Sequence, residues 1–193
     1  FFVSEWDDPW PNEFRAESSL LLAAAASFQG WSGAAIHTYR YDCREGVDMI
    51  GAPITSDAIG GVPYRGGVFD AFNDPAKFGL FYHAALMLRR GDVREPGSAT
   101  EIAVPALVQN GKVVYSSDIK ALAGAAETCK TGIRLPGEPA RAATQAPMDA
   151  SLLPQPDAKE LRSDTGELRR DLARRYATID TPRTKAAYGF LAD

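Results

Sequence analysis

Residues Val3-Ser4-Glu5-Trp6-Asp7-Asp8-Pro9-Trp10-Pro11-Asn12-Glu13 concentrate the groups best able to do chemistry in this chain. Glu5 is a carboxylate that can serve as nucleophile, general acid or general base. Trp6 and Trp10 flank it with flat apolar faces that each carry one polar N–H, the type of surface on which a sugar ring stacks. Further along, Trp31, His37 and Tyr39 are side chains of the same kind, able to stack on or hydrogen-bond a polar ring. Each has a plainer alternative. Glu5 can be a solvated loop acid beside two core tryptophans, His37 a satisfied rim histidine, and Trp31, Tyr39 and Tyr41 packing groups.

The elements around these residues decide which reading gains weight. Phe1-Phe2-Val3-Ser4 is a short apolar run that fits a strand buried on both faces, as in a parallel sheet. Asn12 is a candidate N-cap, and Phe14, Leu21, Ala25 and Phe28 recur at helical spacing up to Gly30, so the pattern predicts a helix over 12–29. Gly33 to Tyr39 reads as a second strand. In a strand–helix–strand unit the loops after the strands form the reactive face, and Glu5 falls there.

From Arg40 to Asn73 the chain is rich in Gly, Pro and Asp without periodicity, an excursion of about 30 residues of the kind that is usually functional or disordered. A further helix is then clearly punctuated. Asp74 is its N-cap, Pro75 sits at the first helical position, and Phe78, Phe81, Tyr82, Ala85 and Leu88 form the expected buried stripe. Arg89 and Arg90 face the negative end of the helix before Gly91 stops it. His83 lies beside the stripe and reads as structural.

Beyond Gly91 the pattern is β. Ile102 to Pro105 and Lys112 to Tyr115 flank the turn Asn110-Gly111, and an Ala/Pro-rich stretch over 133–156 resembles an extended linker. Glu160 to Arg162 and Glu167 to Arg169 flank Ser163-Asp164-Thr165-Gly166 as a hairpin, with two more strands at 177–180 and 186–191. The arginines 169, 170, 174 and 175 alternate with acids and read as a solvated hairpin face. The expected division is 1–100 and 101–193, the second part β-rich.

Composition removes several classes of function. The 193 residues are 45% hydrophobic and 24% charged, which is ordinary for a folded domain. A formal charge of −4, from 21 basic and 25 acidic residues, supplies no electrostatic footprint for nucleic acid or anionic lipid. The longest apolar run, near Leu20 to Phe28, is too short to span a bilayer. Cys43 and Cys129 are far apart with no CxxC or Cys/His cluster, so no zinc site can be written, and whether they pair stays open.

The string from Val3 to Glu17, followed by Phe28-Gln29-Gly30-Trp31-Ser32-Gly33, resembles the region around barrel strands seven and eight of bacterial (β/α)8 glycoside hydrolases. Ser163 to Glu167 and Thr178 to Thr184 are similar to the strands that follow the barrel in such enzymes. The resemblance implies an α/β fold, the C-terminal portion of a (β/α)8 (TIM) barrel followed by β-sandwich strands, with the last two strand–helix units in 1–100. It implies a secreted or periplasmic retaining glycosidase with Glu5 as nucleophile, and Trp6, Trp10, His37, Tyr39 and Trp31 around the carbohydrate.

No cofactor is implied, because two carboxyl groups suffice. A whole barrel takes about 250 residues. The remainder of the barrel, as upstream polypeptide or a partner chain, is therefore the expected partner, and it would carry the acid/base. The alternative is a non-catalytic carbohydrate-binding or scaffold fragment.

Overall fold

The computed structural model describes residues 1–39, 68–71, 74–103, 108–109, 112–113, 119–134 and 157–191. Tyr41, Cys43, most of the excursion, the Asn110-Gly111 turn and most of the Ala/Pro-rich stretch lie outside them. The chain divides into two compact units. One holds residues 1–26 and 31–90; the other holds 27–30 and 91–193.

The first unit opens with strand β1 (Phe2–Trp6), a short 3-10 turn at Arg15–Glu17 and helix α1 (Ser18–Gln29), whose last residues, 27–29, count with the second unit. Strand β2 (Gly33–Ile36) follows and pairs with β1 in parallel, Phe2 opposite Gly33 and Trp6 opposite Ile36, with one irregularity between Val3 and Trp6. The strand–helix–strand order read from the sequence is therefore present. Asn12 Oδ1 accepts from the Phe14 amide at 2.8 Å, which caps the lead-in turn rather than the α-helix itself. The helix then starts six residues later than the capping pattern predicts. Leu20, Leu22, Ala23, Ala24, Ala26 and Phe28 are all buried, so α1 is covered nearly all round rather than along one stripe. Gly30 ends it at φ 66°, and a Cβ there would strike the Glu95 carboxylate.

Helix α2 (Pro75–Arg90) is capped as its sequence demands: the Lys77 amide donates to Asp74 Oδ1 at 3.3 Å. Its buried face corrects the expected stripe. Lys77, Ala84 and Met87 are buried, whereas Phe78, Phe81 and Tyr82 are 49%, 45% and 66% exposed, and His83 is exposed too. The inward side carries instead the Lys77 ammonium, paired with the Asp7 carboxylate, together with the small Ala84 and the pliant Met87.

The second unit contains β3 (Ala99–Ala103), the short strands β4 (Val108–Gln109) and β5 (Lys112–Val113), helix α3 (Ile119–Thr128) and β6 (Lys130–Arg134). β4 and β5 pair antiparallel across the predicted turn, Val108 opposite Val113. β3 and β6 run parallel, Ala99 opposite Lys130, with α3 between them in sequence. The second part, expected to be β-rich, thus also contains one helical crossover, which parallel pairing requires. Gln29 ties these pieces together: its Nε2 donates to the Ala126 and Cys129 carbonyls at 2.7 and 2.8 Å, and its Oε1 accepts from the Thr131 amide at 3.0 Å. Cys129 is a buried free thiol, pushed above its ordinary pKa first by burial.

The chain finishes in a four-stranded antiparallel sheet of β7 (Glu160–Arg162), β8 (Leu168–Asp171), β9 (Tyr176–Asp180) and β10 (Lys185–Gly189), in the order β10-β9-β8-β7. The hairpin predicted around Ser163 to Gly166 is there, Arg162 opposite Arg169. Leu161, Ala177 and Ile179 form its buried side. Asp92 accepts from the Thr184 hydroxyl at 2.7 Å, and Glu167 from Arg94, which fastens the segment after α2 to this sheet. Arg169, Arg174 and Arg175 are exposed as expected, with Arg169 paired to Glu160, whereas Arg170 is half-buried on the Leu161 and Ala177 side of the sheet and pairs with Glu127, which corrects the single solvated face.

Candidate functional site

Because β1 and β2 are parallel, the residues that leave their C-terminal ends gather at one end of the pair. Glu5 is the penultimate residue of β1 and is exposed, with no hydrogen bond or ion pair to another described residue. Trp6 ends the strand, half-buried, and its carbonyl accepts from the His37 amide at 3.0 Å. His37 follows β2 directly and meets the ring of Phe69, centroids 5.6 Å apart.

Phe69 belongs to the short described segment 68–71, which is held between the two loops by backbone bonds. The Trp10 amide donates to the Val68 carbonyl at 2.8 Å, the Thr38 amide to Phe69 at 3.4 Å, and the Ala71 amide to Thr38 at 3.0 Å. Four of the sequence candidates, Glu5, Trp6, Trp10 and His37, are thereby brought to the same end. Tyr39 is more than half exposed and leans on Phe78 of α2, centroids 5.7 Å apart. Trp31 is not brought there. It precedes β2, at the opposite end of the strands, and packs edge-on against Phe1 at 5.2 Å.

Beneath the loop after β1 lies a buried ion pair. Lys77 Nζ donates to Asp7 Oδ2 and also to the Asp8 carbonyl at 3.2 Å, and the two charged side chains are 3% and 0% exposed. Asp7 Oδ1 accepts from the Asp8 amide at 2.8 Å. Asp8 is only partly covered, yet burial raises its carboxyl above the ordinary value; the Asp7 carboxylate adds to this and the Lys77 ammonium opposes it. At the far end of the same loop, Arg15 Nε donates to Asp74 Oδ2 at 2.6 Å and its Nη1 to the Asn12 carbonyl at 3.2 Å. Asp7 is therefore occupied by its cation, whereas no side chain among the described residues pairs with the Glu5 carboxylate.

Val68, Phe69 and Lys77 were not read as site residues from the sequence. Phe69 had no visible signal, since it sits in an aperiodic stretch. Lys77 had one: a lysine in the first turn of a helix faces the positive end of the dipole, an unfavourable place unless a carboxylate meets it. Among the described residues no group of three or more His, Cys, Asp or Glu side chains is arranged to hold a metal ion, and no helix is long and apolar enough to cross a membrane. Comparison of the chain with protein-family models, with curated proteins and with solved structures finds no match.

Proposed function

We propose that this chain is part of a retaining glycoside hydrolase acting on a poly- or oligosaccharide, with Glu5 as the nucleophile. The observation that carries the reading is the placement of Glu5: an exposed carboxylate at the C-terminal end of a parallel strand, beside Trp6 and at the same end as Trp10 and His37. An α/β sheet presents its reactive groups at that end. Tryptophan faces suit a sugar ring, and His37 suits one of its hydroxyls.

In this reading Glu5 Oε attacks the anomeric carbon while a second carboxylic acid, about 5–5.5 Å away, protonates the departing glycosidic oxygen. The C–O bond to the leaving sugar breaks and an ester to Glu5 forms. Water then attacks the same carbon, giving its proton to the second carboxylate and releasing Glu5. In this reading that second group belongs to further strands of a (β/α)8 barrel. Phe2, 58% exposed on β1, supports a covering neighbour, because parallel sheets are normally covered. In this reading the enzyme is secreted or periplasmic.

One observation favours a non-catalytic carbohydrate-binding role instead. Asp7 is consumed by Lys77, so its carboxylate is not available as the partner acid. Glu5→Gln in the complete protein separates the two. The enzyme reading expects hydrolysis of an aryl glycoside to fall by at least about a thousandfold with the fold intact by circular dichroism; undiminished turnover removes Glu5 from the reaction.

A further inference from the structure

Lys77 is an expensive residue in its position. An ammonium in the first turn of α2 opposes the helix dipole, and burying it is unfavourable unless its partners compensate. Replacing a buried ion pair by apolar side chains is often neutral or stabilising, so stability alone is a weak reason for it. Its partners suggest another reason. Lys77 holds both the Asp7 carboxylate and the Asp8 carbonyl, the first two residues after β1. Asp74, which caps the start of the same helix, holds Arg15 at the far end of that loop. The span 7–15 is thus fastened at both ends to one helical turn. Trp10 lies between the two fastenings, and its amide is bonded to Val68. Glu5 lies before the span, on β1 between the paired residues Val3 and Trp6.

Resting on the glycosidase reading above, we propose that Lys77 is a positioning residue: by clamping Asp7 and Asp8 to the start of α2, it fixes the loop that carries Trp10 and sets that indole where a sugar ring binds. The clamp acts on substrate binding through Trp10 and leaves the nucleophile to the strand. An Asp7→Asn/Lys77→Met double variant removes both charges together, so no uncompensated charge is buried. Lys77→Gln, which keeps a donor for the Asp8 carbonyl, is the second variant, and Lys77→Arg is the conservative replacement expected to restore the parent behaviour.

Two readouts test the proposal on the chain as it exists in its full-length protein. In hydrogen exchange followed by mass spectrometry, peptides covering 7–15 are expected to exchange at least about tenfold faster in the double variant, with α1 and the β7–β10 sheet unchanged. In kinetics on an oligosaccharide, KM is expected to rise on the order of tenfold with a smaller change in kcat.

Exchange that is unchanged, or that rises uniformly along the chain, overturns the proposal, as does failure of both variants to fold, since Lys77 would then serve the fold as a whole. Faster exchange in 7–15 with an unaltered KM also overturns it. If Glu5→Gln retains turnover, the glycosidase reading fails separately, while the exchange experiment still decides whether Lys77 holds the loop.

Discussion

The His37 amide donates to the Trp6 carbonyl at 3.0 Å, which joins the ends of β1 and β2 just where they leave the parallel pair. Trp6 is the last residue of β1 and His37 the first after β2, so their side chains start from a backbone held on both sides. The bond explains how two strands of five and four residues can present a defined set of groups at one end.

Trp10 is the candidate sugar platform on the loop, and Trp6 the one on the strand. Trp10→Ala is expected to weaken binding of an oligosaccharide by about three- to tenfold, the range of one aromatic contact. Titration by isothermal calorimetry against the parent checks this, with Trp31→Phe as the control that leaves affinity alone, because Trp31 sits at the other end of the strands.

The Asp8 carboxyl gives a pH signature. Its pKa is raised in the folded chain, by burial first and by Asp7 second, so the folded state holds the proton more tightly than the unfolded one. Above the ordinary carboxylate value the folded state therefore binds more protons, and stability falls as pH rises through the raised pKa. Asp8→Asn removes that loss. Its melting temperature is expected to exceed the parent's at about pH 7 and to match it near pH 3, where both states of Asp8 are protonated.

In the second unit the Gln29 side chain makes four hydrogen bonds, donating to two carbonyls and accepting from the amide and the hydroxyl of Thr131. Gln29→Ala leaves the Ala126 and Cys129 carbonyls and the Thr131 amide without this partner, and is expected to cost about 3 kcal/mol. Urea denaturation followed by circular dichroism measures it. Glu167 accepts from both the amide and the Nε of Arg94, at 2.8 and 2.7 Å, while being only 5% exposed. Glu167→Ala is expected to cost about 2 kcal/mol by the same assay, with the hairpin Ser163 to Gly166 loosened.

Local punctuation was the most legible part of the sequence. Asp74 and Pro75 marked the start of α2, Gly30 and Gly91 marked two helix ends, and the turn at Ser163 to Gly166 marked the β7–β8 hairpin, because capping and turn chemistry act over a few residues. The buried face of α2 was not legible. Periodicity finds the aromatic residues Phe78, Phe81 and Tyr82, but the side that faces inward carries Lys77, whose partner lies 70 positions away, a contact that no local period shows. Helix α3 was missed because it is short and its Ala-rich sequence lies between strands. At the site, Glu5, Trp6 and Trp10 were visible as a cluster, whereas Trp31 was assigned from residue type and fell at the wrong end once strand direction was known.

The role of Glu5 is tested most directly by trapping. Incubating the full-length protein with an activated 2-deoxy-2-fluoro glycoside slows release of the glycosyl group from a carboxylate nucleophile, and mass spectrometry of the digest then locates the ester. The account predicts one fluoroglycosyl adduct, on the peptide that contains Glu5 and absent from Glu5→Gln. An adduct on a different carboxylate, or hydrolysis that proceeds in Glu5→Gln as in the parent, contradicts it.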